Sequence, residues 1–145
     1  MLRALLAALL LVTASAGAEA RDTEYMLKLD ELTRTQEYRQ KVGSDIAFSF
    51  GKQATPPVLE KLGQFVANRK SNSFGRPDEV ACERAALSAL IELREYARKL
   101  GGNAVINIES YYKKTSNPSE TQYECHAGGV IAGVAFRGEV VKLKK

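Results

Sequence analysis

The sequence predicts an α+β domain: a mainly antiparallel sheet of about 4–5 strands, covered on one face by one long helix and tied to it by one helix-to-sheet disulfide. Three observations point there. A helical stripe of apolar residues runs between Pro77 and Leu100, and several flanking segments alternate apolar with polar residues. The two cysteines, Cys82 and Cys125, fall one in the helical stripe and one in an alternating segment.

The helix is the clearest element. Pro77 suits a first-turn position, Asp78 and Glu79 complement the positive end of the helix dipole, and Arg98 and Lys99 complement the negative end. Gly101-Gly102 supplies a left-handed stop. Cys82, Ala86, Leu90, Leu93, Ala97 and Leu100 recur at intervals of three and four, which places them on one buried stripe.

Strands are expected on either side. Tyr25, Leu27 and Leu29 alternate with Met26 and Lys28, giving a strand over Glu24 to Leu29. A short helix is expected within Asp30 to Val42, then a second strand at Ile46 to Phe50 and a turn through Thr55-Pro56-Pro57. Val58 to Lys70 carries apolar residues at helical spacing, interrupted by Gly63 and Asn68. After the helix, Ala104, Ile106 and Ile108 share one face of a strand, and residues 113 to 120 read as a polar hairpin loop. Thr121 to Phe136 reads as a long strand with a bulge at Gly128-Gly129, which would put Tyr123, Cys125 and Ala127 on the same side as Val130, Ala132, Val134 and Phe136. Cys125 then faces the helix that carries Cys82.

The first residues carry a different signal. Arg3 precedes the apolar run Ala4 to Val12, and Ala18-Glu19-Ala20 follows with small residues where signal peptidase reads them. The run is too short to span a membrane. A signal peptide over residues 1–20 is therefore expected, cleaved after Ala20 with the bond after Ala16 as the second choice, and a single domain over 21–145 in the periplasm. No cysteine follows the cleavage site, so no lipid anchor is expected. An oxidising compartment favours a Cys82–Cys125 disulfide. Closing a loop of roughly 40 residues is worth about 4 kcal/mol. The net charge of +4 is mild and interspersed, apart from Lys142, Lys144 and Lys145, which read as a solvated tail.

The helix end Arg98-Lys99-Leu100-Gly101-Gly102-Asn103-Ala104-Val105, with the strand, loop and glycine-bearing strand that follow, resembles a bacterial group of small domains. One family in that group is associated with heavy-metal binding, and an exported member is the lipoprotein sensor of the Rcs envelope-stress phosphorelay. The resemblance covers Val58 to Phe136. It implies a strand over Leu59 to Lys70, and it implies a disulfide placed as Cys82–Cys125. The sensor's lipid-bearing cysteine and second disulfide are missing here, so its signalling role is not implied. Tyr123-Glu124-Cys125-His126-Ala127-Gly128 and the layout from Arg21 onward look like a family of short exported proteobacterial proteins of unknown function, often labelled as an excinuclease ATPase subunit. That label does not describe this chain, which has no G-x-x-x-x-G-K-[ST] loop and cannot build zinc modules from two cysteines.

Candidate chemistry is sparse. Pairing of the last two strands around the 113–120 loop would bring Glu109 near Glu124 and Asn107 near His126, opposite Cys125, where carboxylates and an imidazole could hold a metal. Cys125 and His126 are neighbours on a strand and point to opposite faces, so they form no nucleophile pair. No G-x-S-x-G elbow exists. Tyr111, Tyr112 and Tyr123 with Lys113 and Lys114 could form a ligand platform, although export argues against nucleic acid. The expectation is a non-enzymatic envelope protein that binds a protein partner or ligand, with no cofactor and no membrane anchor; the alternative is a metal-binding protein using Glu109, Glu124 and His126.

Overall fold

The computed structural model describes residues 20–145, so the expected signal peptide lies outside the described residues apart from Ala20. Along the chain come β1 (Thr23–Lys28), α1 (Leu29–Thr33), one wide π turn (Tyr38–Val42), β2 (Ala47–Phe50) and β3 (Val58–Asn72). Then follow α2 (Asp78–Leu100), β4 (Ala104–Ser110), a 3-10 turn (Tyr112–Lys114), β5 (Gln122–Ala127) and β6 (Ile131–Leu143). The strand over Leu59 to Lys70 is present as β3. The short helix expected within Asp30 to Val42 is divided between α1 and the π turn.

The six strands form one curled sheet organised around β6. β3 takes one edge of β6 from Asn72↔Ile131 to Val58↔Leu143. The other edge is shared: β5 holds its start through His126↔Gly133 and Ala127↔Ala132, and β4 holds the rest from Ser110↔Phe136 to Ala104↔Val141. β1 extends the sheet antiparallel from β5, and β2 extends it parallel from β4. The sheet is therefore mainly antiparallel, as expected, but it is mixed through the β2–β4 pair and has six strands rather than 4–5. Parallel pairing requires a crossover, and β3 with α2 supplies it between β2 and β4.

Two expectations about the later strands are corrected. Thr121 to Phe136 is not one bulged strand but a hairpin, β5 to β6, turning at Gly128-Gly129, where Gly128 N–H donates to Ile131 O at 2.8 Å. A Cβ on Gly128 would stand 2.8 Å from Arg21 O, so the close approach of the chain there needs glycine. The 113–120 loop closes no β4–β5 ladder; its sole bridge is Ser110↔Asn117.

The change of phase expected at those glycines occurs instead in β4. Asn107 sits at φ 52°, and the register with β6 slips between Ile106 and Glu109. This bulge sends Val105 and Ile108 into the main core while Ala104 and Ile106 join Val141 and Leu143 in a small second cluster. Ala104, Ile106 and Ile108 do not share a face. The C-terminal lysines are not a free tail either: Lys142 lies in β6 and pairs with Glu60 at 3.3 Å, and Lys144 N–H donates to Pro57 O at 2.9 Å.

Helix α2 covers the inner face as expected. Pro77 is its N-cap, and Gly101 ends it at φ 75°, its N–H and that of Gly102 closing on Arg98 O and Ala97 O. Ala81, Ala85, Ala86 and Ala89 let the helix approach the sheet closely, while Leu90 and Leu93 fill the core with Val134, Phe136 and Val140. Leu100, expected on the buried stripe, is exposed at the last residue of α2. Cys82 and Cys125 are bonded, with Cα atoms 5.8 Å apart, and both are fully buried. No helix among the described residues is long and apolar enough to cross a membrane.

Candidate metal centre

Alternation along β1 and β5 builds the site. Tyr25 and Leu27 pack inward, as do Tyr123, Cys125 and Ala127, so Glu24, Glu124 and His126 project from the opposite face. The antiparallel register sets Glu24 directly across from His126 and Met26 across from Glu124. One ligand atom from each of Glu24, Glu124 and His126 lies within 4.8 Å of the others. His126 and Glu124 are largely shielded, each with a side chain only 12 % exposed.

The imidazole is fixed at every side. Its Nδ1 lies 3.1 Å from Asp22 Oδ1, and its Nε2 lies 2.5 Å from Glu124 Oε2. Tyr112 stacks on the ring, with centroids 3.6 Å apart and planes 7° from parallel. Glu124 is oriented in turn: Asn117 Nδ2 donates to its Oε1 at 2.8 Å, and its backbone N–H donates to Ser110 Oγ at 2.9 Å. The Tyr112 hydroxyl is pushed above its ordinary pKa first by burial and then by the negative charge of Asp22 and Glu124.

Each ring nitrogen thus has a carboxylate oxygen within hydrogen-bond distance, and an unprotonated Nε2 could ligate a metal. Asp22 would then hold the remaining Nδ1–H, which is the outer-shell arrangement that fixes a ligating histidine in one tautomer. Glu24 and Glu124 would supply oxygen ligands, giving one nitrogen and two oxygen donors.

Of the residues expected to meet here, the structure brings Glu124 and His126 together and leaves Glu109 out. Glu109 is bonded to Arg137 on β6 and accepts from Ser116 Oγ at 2.6 Å. Asn107 is displaced as well, its amide reaching Glu139 rather than His126. Both corrections follow from β4 pairing with β6 instead of β5. The tyrosine platform does not form: Tyr123 is in the core against Phe136, Tyr111 lies under Arg137 at 4.1 Å, and only Tyr112 reaches His126. Sequence reasoning missed Asp22 and Glu24. The outward parity of Glu24 opposite Tyr25 and Leu27 was a usable signal, but its partner strand was not readable.

A cavity of about 580 Å³ opens elsewhere, over Tyr38, Phe48 and Phe50. Part of its polar rim is already paired: Lys28 with Glu31, Asp30 with Arg34, and Gln53 with Phe50 N–H and Glu120 O. No family model matches the chain, and no curated protein matches it.

Proposed function

We propose that this is a non-catalytic binding protein, exported to the periplasm after cleavage at Ala20, and that its ligand is a divalent transition-metal ion. The reading rests on one observation: the Glu24, Glu124 and His126 donor atoms cluster within 4.8 Å, with Asp22 on the far nitrogen of the ring. One imidazole and two carboxylates suit copper(II), nickel(II) or zinc(II), with copper bound most tightly. The absence of a thiol nucleophile beside the histidine supports binding over catalysis, since Cys125 is held in the disulfide.

The chain has no tryptophan, so its fluorescence comes from its six tyrosines, one of which, Tyr112, stacks on His126. Titration with copper(II), nickel(II) and zinc(II) should show one site and quenching by copper(II). His126→Ala should abolish it, Asp22→Asn should weaken it about 10-fold through the outer shell, and Glu109→Gln should leave it unchanged. Binding that survives His126→Ala would sink the reading.

A further inference from the structure

Three large apolar side chains stand in solvent at one end of the molecule: Phe74 is 72 % exposed, Val130 63 % and Ile131 50 %. They belong to two turns stitched to each other. Ser73 N–H donates to Val130 O at 2.8 Å, its buried hydroxyl donates to Gly128 O at 2.8 Å, and Asn72 lies across from Ile131. The apolar cluster is thus held in place by hydrogen bonds beneath it. Side chains fixed outward in this way form a wedge rather than a loose loop.

The rim of the wedge is rich in cations. Lys70 lines a cavity of about 550 Å³ together with Val130, Ile131, Tyr112 and His126, with one carboxylate, Asp22, beside Arg21. Arg76 closes the Phe74 turn through its N–H to Ser73 O, and Lys113 lies over the Tyr112 ring at 5.5 Å. Among the described residues none of these three has a carboxylate within salt-bridge distance, whereas the neighbouring Arg21 and Arg69 are engaged by Asp78 and Glu92. The N-terminal side of the chain enters at the same place, since Ala20 lines that cavity too. The apolar run ending at Val12 precedes it in the sequence by a stretch that reaches at most about 28 Å when extended. A precursor held in a bilayer by that run would have this end of the domain at the membrane surface.

We infer that the Phe74–Val130–Ile131 wedge docks on an anionic phospholipid surface. The apolar tips enter the interface, and Lys70, Arg76 and Lys113 meet the headgroups. The inference needs no bound metal, although Asp22 and His126 of the metal centre line the same cavity.

The test uses the full chain expressed in an exporting bacterial host, purified in the form the host accumulates and sedimented with vesicles. Phosphatidylcholine containing phosphatidylglycerol should retain the protein at low salt, and phosphatidylcholine alone should not. Phe74→Ser, and Lys70→Glu with Arg76→Glu, should each weaken retention about five-fold or more. Lys144→Glu with Lys145→Glu should leave it intact, circular dichroism confirming the fold of every variant. Three results overturn the inference: no retention on anionic vesicles, retention that Phe74→Ser leaves unchanged, or a concentration-dependent dimer abolished by Phe74→Ser in the absence of vesicle binding.

Discussion

Asp78 shows how much one carboxylate can organise. Arg21 donates to both its oxygens, at 2.6 and 3.1 Å, and the Tyr25 hydroxyl donates at 2.7 Å. Arg21 also reaches Gly128 O at 2.8 Å, so one guanidinium joins the entry of β1, the start of α2 and the β5–β6 turn. The hydrogen bonds from Arg21, and then from Tyr25, pull the Asp78 carboxyl down from its ordinary value to about 2. A depressed carboxyl stabilises the fold above its unfolded value of about 3.9 and loses that contribution as pH falls through about 2. Asp78→Asn should therefore flatten the decline in urea midpoint between about pH 4 and about pH 2. The helix-dipole role of Asp78 was readable in the sequence; its tie to Arg21 was not, because 57 residues separate the two. The same limit hid Glu24, which only the β1–β5 register carries to His126.

Among the elements, β6 is the one on which packing is tightest. A Cβ at Gly138 would lie 2.6 Å from Val105 Cγ1 and 3.2 Å from Ile108 Cγ1, both core groups delivered by the β4 bulge. Gly138→Ala should cost about 1–3 kcal/mol by overpacking. Gly129→Ala, whose added carbon meets nothing within 4 Å, should fall within about 0.5 kcal/mol of wild type in the same urea titration. The helix was legible because its stripe, caps and glycine stop all lie within one continuous segment. Strand β3 became legible only through resemblance, since Val58, Leu62 and Val66 at helical spacing pulled the other way, and its pairing along β6 overrode that local pattern. Bulge placement was not legible. Asparagine tolerates the left-handed conformation, so Asn107 could break phase where glycine was the more obvious candidate. Which strands become neighbours is decided by contacts far apart in sequence, and the sharing of one β6 edge between β4 and β5 leaves no periodic trace.

For the whole molecule, the Cys82–Cys125 bond is the tie between the two layers. It joins α2 to β5 across 43 residues and is buried where both elements meet the core. This tie was legible because helical and strand parity pointed the two cysteines at each other. The paired replacement Cys82→Ala with Cys125→Ala should lower stability by about 4 kcal/mol, read from urea midpoints against the oxidised protein. Without the bond, α2 is still held by its apolar face, so far-ultraviolet circular dichroism should stay native before the transition.

β6 is also the last of the described strands along the chain, and β3, β4 and β5 all pair with it. Until residues 131–143 are available, the ladders open to the other described strands are β1 with β5 and the short parallel pair of β2 with β4. Pairings of such long sequence separation form slowly. A polypeptide delivered in order through a narrow channel would therefore stay unlaced, and threadable, until its closing segment emerges and lets the sheet assemble on the far side.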